Sequence, residues 1–274
     1  MREVQMQALR AAREAALAGR TSREVGREKD LAALRWVYRW GWSSPAVVDL
    51  VASPGRRGVC ARLRKRGLLV AHPTPGGGGL KGVPAEVVLL SEDGVAEVEA
   101  ELPESAILPY PPSDGRAVPW HQIRHDTLVQ LWTARKLAAD TIIAYNTPRE
   151  LMGRPSGNGV KQPDAVWRLA DDGLAVAVEL ELTAKKDREL HQAALAIITA
   201  VHPGSDTKAK GPYDAVAILS HSQALLDRYR RLLTPGATIT KYERGRDRHY
   251  KAAGAVKCPD WIRERVLFEK VTLW

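Results

Sequence analysis

Asp164 follows Pro163, and fifteen residues later Glu179 and Glu181 close the run LAVAVELEL. Side chains alternate along an extended strand, so Val176, Val178, Leu180 and Leu182 share one face. Ala175, Ala177, Glu179 and Glu181 share the other, with the two glutamates roughly 7 Å apart at the backbone. If Asp164 opens the neighbouring strand of a hairpin, the three carboxylates meet. Hard oxygen donors gathered in this way suit Mg²⁺ or Mn²⁺, which offsets their mutual repulsion. Such an ion polarises a phosphodiester and makes bound water a better nucleophile. A half-exposed strand with its glutamates in solvent fits the same pattern and needs no metal. Lys185 and Lys161 lie close in sequence to these acids, although spacing alone does not bring either ammonium to them.

A second set of residues points to a polyanion. Arg56, Arg57, Arg62, Arg64, Lys65 and Arg66 lie between Pro54 and Leu68 with no acid among them. On a helix in the major groove, arginine bonds guanine bidentately while its neighbours neutralise phosphates. A plain solvated basic face is the alternative. Lys81, beyond the glycines 76–79, would reach a phosphate from a hairpin wing. A third set, Arg228, Arg230, Arg231, Lys241, Arg244, Arg246, Arg248 and Lys251, is interleaved with Tyr242, His249 and Tyr250. That mixture suits phosphate contact with some base stacking, and a charged helix and loop accounts for it equally well.

These residues need elements to hold them. The chain has 274 residues, 45% hydrophobic and 27% charged, the profile of a globular protein, with a net charge of +9. The surplus of cations attracts nucleic acid first. Cys60 and Cys258 have no CxxC partner, which speaks against a disulfide framework and suits the cytoplasm. No apolar run is long enough to span a membrane, and the charged N-terminus has no signal-peptide core. GxxxxGK[ST], GxGxxG and HExxH motifs are absent, so no nucleotide cofactor is expected. Tyr145 lacks the His-rich metal cluster that a tyrosine nucleophile would need.

Residues 1–27 read as a helical arm through which a homodimer could form, since winged helices often read paired half-sites, although the arm carries no heptad repeat. Residues 28–100 follow as a helix with Leu31, Leu34, Val37 and Tyr38 on one face, a short helix capped by Ser44-Pro45, and a basic helix beginning at Pro54. Two strands and a closing helix complete that domain. Five prolines mark 101–119 as an interdomain linker. Residues 120–274 mix helices with strands at 164–170, 174–182 and around 213–220, an α/β (α+β) domain on a mixed sheet.

The order of elements in residues 28–100, ending in LRKRGLL and VVLLSEDG, resembles winged helix-turn-helix DNA-binding domains. The second half resembles restriction-endonuclease-like nucleases, whose signature is an Asp after Pro and then (Asp/Glu)-x-Lys. Asp164 and Glu179 match the two acids, and Glu181 stands where that family usually has Lys. Together with Arg124-His125-Asp126, the pieces PDAV and AVELELTAKK make the chain similar to plasmid replication-relaxation proteins, which are akin to mobilisation-type relaxases. The resemblance implies duplex DNA of a plasmid or mobile element as partner, nicking or supercoil relaxation as the chemistry, Asp164 and Glu179 as its two acids, and auxiliary roles for His125 and Gln192. Glu181 is the third candidate metal ligand from the strand pattern, and Lys185 is the candidate catalytic ammonium in place of the family's Lys. Two functions stay open: a metal-dependent nicking enzyme, or a non-catalytic DNA-binding regulator or accessory protein that keeps the fold. A winged helix that binds protein is a third.

Overall fold

A computed structural model describes residues 19–152, 161–205, 209–244 and 249–272. The protein is mixed α+β and divides into two compact units: Met1–Thr74 with Glu86–Val118, and Pro75–Ala85 with Pro119–Trp274. No described helix is long and apolar enough to cross a membrane.

In the first unit, Thr21 caps helix α1 (Ser22–Trp40) through a capping box with Glu24. The helix therefore starts inside the expected arm rather than at residue 28; residues 1–18 of that arm lie outside the described residues, as does any dimer contact there. Leu34, Val37 and Tyr38 are buried as the periodicity predicts. Helix α2 (Pro45–Ala52) starts on Ser44, whose side chain accepts from the Val47 N–H, with Pro45 pre-set at the first position. Helix α3 (Val59–Lys65) is shorter than expected: residues 53–57 form a turn, and Gly58 enters the helix at φ 106°. Arg56 and Arg57 therefore sit before the helix.

No side chain at Gly58 can cap α3, and Asp49 of α2 takes over, accepting from the Gly58 N–H at 3.0 Å and the Cys60 N–H at 2.8 Å. Asp49→Ala is expected to destabilise the first unit by about 1–2 kcal/mol, read as a lower urea midpoint at unchanged slope. An unmoved midpoint would remove the cap from this account.

Strands β1 (Leu69–Pro73) and β2 (Glu86–Leu90) pair antiparallel, and Ser43 bridges to Val88 beside them. Helix α4 (Glu92–Glu99) follows, capped by Ser91. Residues 101–118 do not hang free between units. Tyr110 stacks on Tyr38 at 5.6 Å, accepts from the Leu90 N–H and donates to the Gly41 carbonyl. The expected linker is an ordered strap of the first unit, because its tyrosine supplies apolar contact and its prolines leave few N–H groups to satisfy.

The second unit carries helix α5 (Ile123–Ala138), strand β3 (Ile142–Asn146), a turn of helix α6 (Pro148–Leu151), and strands β4 (Ala165–Leu169) and β5 (Ala175–Leu180). Helix α7 (Asp187–Ala200), strand β6 (Ala215–Ser220), helix α8 (Gln223–Leu232), strands β7 (Thr238–Arg244) and β8 (Tyr250–Lys257), and strand β9 (Val266–Lys270) complete it. The five-stranded sheet runs β3-β4-β5-β6-β9, antiparallel through β5 and parallel beyond. Strands β7 and β8 form a ribbon of their own.

Helix α5 docks where the Trp167 indole N–H on β4 donates to Thr133 Oγ1 at 2.9 Å. Helix α7 buries Leu190, Ala194 and Ile197, with Val201 just past its end, in one cluster with Ala177, Val216, Ile218 and Leu226. Each large apolar side chain so buried contributes about 1.5–3 kcal/mol.

Candidate functional site

Ala165 pairs with Val178, and the Asp164 N–H donates to the Val178 carbonyl at 2.9 Å. One step further in this register sets Asp164 opposite Glu179, the hairpin expected from the sequence. Glu181 lies just past the end of β5. Its N–H donates to the Leu219 carbonyl, and its own carbonyl accepts from Ser220 Oγ. Strand β6 thus fixes the backbone that carries this acid.

Each carboxylate has its own partner. Asp164 Oδ2 accepts from the Leu180 N–H at 2.7 Å and faces His125 Nε2 at 3.1 Å. Glu179 is ion-paired with Lys161. Glu181, buried, is ion-paired with Lys185 and accepts from the Tyr229 hydroxyl at 2.7 Å. Among the described residues, no three His, Cys, Asp or Glu side chains are gathered as a ready metal cage. Glu179, Glu181, Lys161, Lys185 and Tyr229 line one cleft of about 450 Å³, walled on the α7 side by Ala193, Ala196 and Ile197. Asp164 does not line it and is held on the α5 side.

The electrostatics separate these acids. Burial, and then the charge of Asp164, push the Glu179 carboxyl up to about 7 despite Lys161. Burial also works against ionised Asp164, but His125, Lys161 and the Leu180 N–H outweigh it and hold its carboxyl below the usual range. Lys161 keeps its proton more firmly than usual, because Glu179 and Asp164 outweigh its burial. Burial and Glu181 push the Tyr229 phenol upward, so it stays a donor.

The His125 ring sits among acceptors only: Asp126 Oδ1 at 2.9 Å from Nδ1, and the Leu180 carbonyl and Asp164 Oδ2, each 3.1 Å from Nε2. Both nitrogens must then donate, which makes the ring an imidazolium. Burial opposes that charge, but the hydrogen bonds and charges of Asp126 and Asp164 raise the ring to about 10. Sequence reasoning gave His125 only an auxiliary role through resemblance, and Tyr229 none. Asp126 is next to His125 in sequence, but Asp164 lies 39 residues from it and Glu181 lies 48 from Tyr229, so no local pattern places either in the site. Gln192 is on α7 and does not line the cleft. Tyr145 is buried on β3.

The basic set in the first unit splits. Arg62 and Arg66 both pair with Asp30 of α1, Arg66 at 2.7 Å, and Arg64 pairs with Glu86 at 2.6 Å. These three fasten α3 to its own unit. Arg56, Arg57 and Lys65 are exposed, with no ion pair among the described residues. Lys81 is exposed in the Pro75–Ala85 loop, which belongs to the second unit. Of the third set, Arg230 pairs with Asp227 and Arg228 with Asp187, both from α8. Arg244 ends β7, while Arg246 and Arg248 lie outside the described residues.

No protein-family pattern, characterised protein or solved structure matches this chain. Function therefore rests on the residues and their geometry.

Proposed function

We propose that this protein binds duplex DNA and nicks it in a reaction dependent on Mg²⁺ or Mn²⁺. The observation that carries the proposal is the meeting of Asp164 and Glu179 across the β4–β5 hairpin, with Glu181 next along the chain. The order α5, the β3–β4–β5 meander, α7 and parallel β6 supports it, being the order of a restriction-endonuclease-like core. The helix–helix–helix–hairpin order of the first unit supports a winged helix-turn-helix, with Arg56, Arg57 and Lys65 as cations that have no ion pair among the described residues. A plasmid or mobile element is the DNA the resemblance implies.

Three carboxylates are the donor chemistry of a hard divalent ion, and one of them, Glu179, is pushed up to about 7 by burial and by the charge of Asp164, which a bound cation would offset. Asp164, Glu179 and Glu181 would hold it, and a bound ion supplies Lewis acidity toward the phosphodiester and a more acidic water. The chain's own groups do the rest. His125 keeps Asp164 ionised and fixed, Tyr229 orients Glu181, and the Lys185 ammonium in the cleft offsets negative charge on a phosphate.

A second reading has its own support. Every carboxylate already has a partner within the protein, and Glu181 replaces the usual Lys, as in a DNA-binding protein with a non-catalytic second unit. Supercoiled plasmid incubated with the protein and Mg²⁺ or Mn²⁺, against EDTA, decides between them. Metal-dependent open circles are expected; a gel shift with no cleavage would transfer the conclusion to the second reading.

A further inference from the structure

We infer that the β7–β8 ribbon is a second DNA-binding element, which lies in a groove of duplex DNA and presents Lys241 and Arg244 to its phosphates. This rests on the DNA-binding part of the proposed function and adds the mode and the residues by which the second unit takes part.

Two strands alone are marginally stable in water, yet this ribbon pairs with no other strand among the described residues and its β8 is exposed from Tyr250 through Ala255. What holds it is its root and α7. Ile239 and Cys258 are buried in the core of the second unit. The Thr240 N–H donates to His191 Nδ1 at 3.1 Å, the His191 and Tyr242 rings lie 6.2 Å apart, and the Arg188 guanidinium covers the Tyr250 ring at 4.2 Å. The register sets Arg244 opposite Tyr250 and Tyr242 opposite Ala252 on the braced face, and leaves Lys241, Glu243, Lys251 and Ala253 on the other.

The composition of the exposed ribbon selects the partner. Ala252, Ala253, Gly254 and Ala255 are all exposed and offer nothing larger than a methyl group. A protein interface needs large aromatic or aliphatic anchors, and a membrane surface needs an apolar face; the large rings of the ribbon, Tyr242 and Tyr250, are already engaged by His191 and Arg188. Small side chains instead let the backbone approach a partner closely. Lys241 and Arg244 are exposed with no ion pair among the described residues, and Lys251 stands opposite Glu243, the one acid on the described ribbon. The surplus is positive, complementary to a polyphosphate. Shape agrees, because the major groove, about 12 Å wide, admits a two-stranded ribbon. The register shift between Thr240 and Tyr242, with Gly254 at φ 128°, twists the arm near its middle as such bulges do.

The test is fluorescence anisotropy of the full chain on a 30-base-pair duplex, in EDTA so that no cleavage intervenes, across a series of salt concentrations. The Lys241→Ala/Arg244→Ala double variant is expected to lower the slope of log affinity against log salt by about 1.8, two phosphates at 0.9 each. Both residues are exposed, so folding is not at stake. An Arg56→Ala/Arg57→Ala variant serves as comparison, and it should retain binding that the ribbon substitutions then weaken. An unchanged slope in the ribbon variant, alongside a reduced slope in the Arg56/Arg57 variant, would overturn this inference and leave DNA binding by the first unit standing. Absence of binding by the unaltered protein would overturn both.

Discussion

Glu179→Gln is expected to make the protein more stable and, in the same molecule, to abolish metal-dependent nicking. Glu179 is nearly buried, and its carboxyl is raised from 4.5 to about 7 by burial and by Asp164. A carboxyl raised on folding makes the native state bind more protons than the unfolded chain between these two values. Stability then falls as pH rises through that window and stays lower above it. Gln keeps the shape and removes the charge. In metal-free buffer at pH 7.5 it should gain about 2 kcal/mol, or about 5 °C in melting temperature for a unit of this size, and the gain should vanish below pH 4.5. Removing a carboxylate proposed to hold the ion should cost at least the roughly 100-fold lost when even an outer partner of a metal site is mutated. Calorimetry across pH and the plasmid assay read the two effects separately. A variant that melts no higher would contradict the charge argument, and one that nicks at full rate would contradict the site.

The second large effect belongs to His125. Its ring faces three acceptors, so its proton is part of the structure and not an accident of pH. A histidine raised on folding contributes stability that is complete below its unfolded value of 6.5 and is lost as pH rises through about 10. Within that window the contribution falls by about 1.4 kcal/mol per pH unit. His125→Ala leaves Asp164 and Asp126 without the cation between them and should destabilise the second unit by about 3–5 kcal/mol, the cost of breaking a buried pair. The variant should also flatten the decline in stability between pH 7 and 10. Heteronuclear NMR of the ring nitrogens gives an independent check. Both should carry protons at pH 8, whereas a neutral tautomer at that pH would show that one of the three contacts is wrong. Helix α5 places His125 in its first turn, where the helix dipole disfavours a cation. That the ring is nevertheless charged shows how strongly Asp126 and Asp164 act on it.

Much of the architecture was legible because its causes are local. Ser44-Pro45 marks the start of α2 by cap chemistry alone. Apolar runs mark β4, β5 and β6, and the alternation along β5 places Glu179 and Glu181 on one cleft. Where local signals were weak, the expectation failed. YKAAGAVK has small and charged residues in place of β-branched ones, so β8 was not foreseen; its strand exists because β7 pairs with it and α7 braces that pair. Residues 101–118 look like a linker by proline content, and the Tyr38–Tyr110 stack makes them part of the first unit.

The sequence by itself determined which chemistry is available: the acids beside an apolar strand, the arginines without neighbouring acids, and the absence of nucleotide-binding motifs. Only the tertiary structure decided how each group is used. Asp30 pairs with Arg62 and Arg66 from 32 and 36 residues away, while Arg56, Arg57 and Lys65 have no ion pair among the described residues. Register between β4 and β5 brings Asp164 to Glu179; burial raises both carboxyls, and His125, Lys161 and the Leu180 N–H reverse that shift at Asp164 alone. Periodicity and capping act over a few residues and can be read from the chain. Desolvation and Coulomb interaction act through space, and folding sets which charges become neighbours.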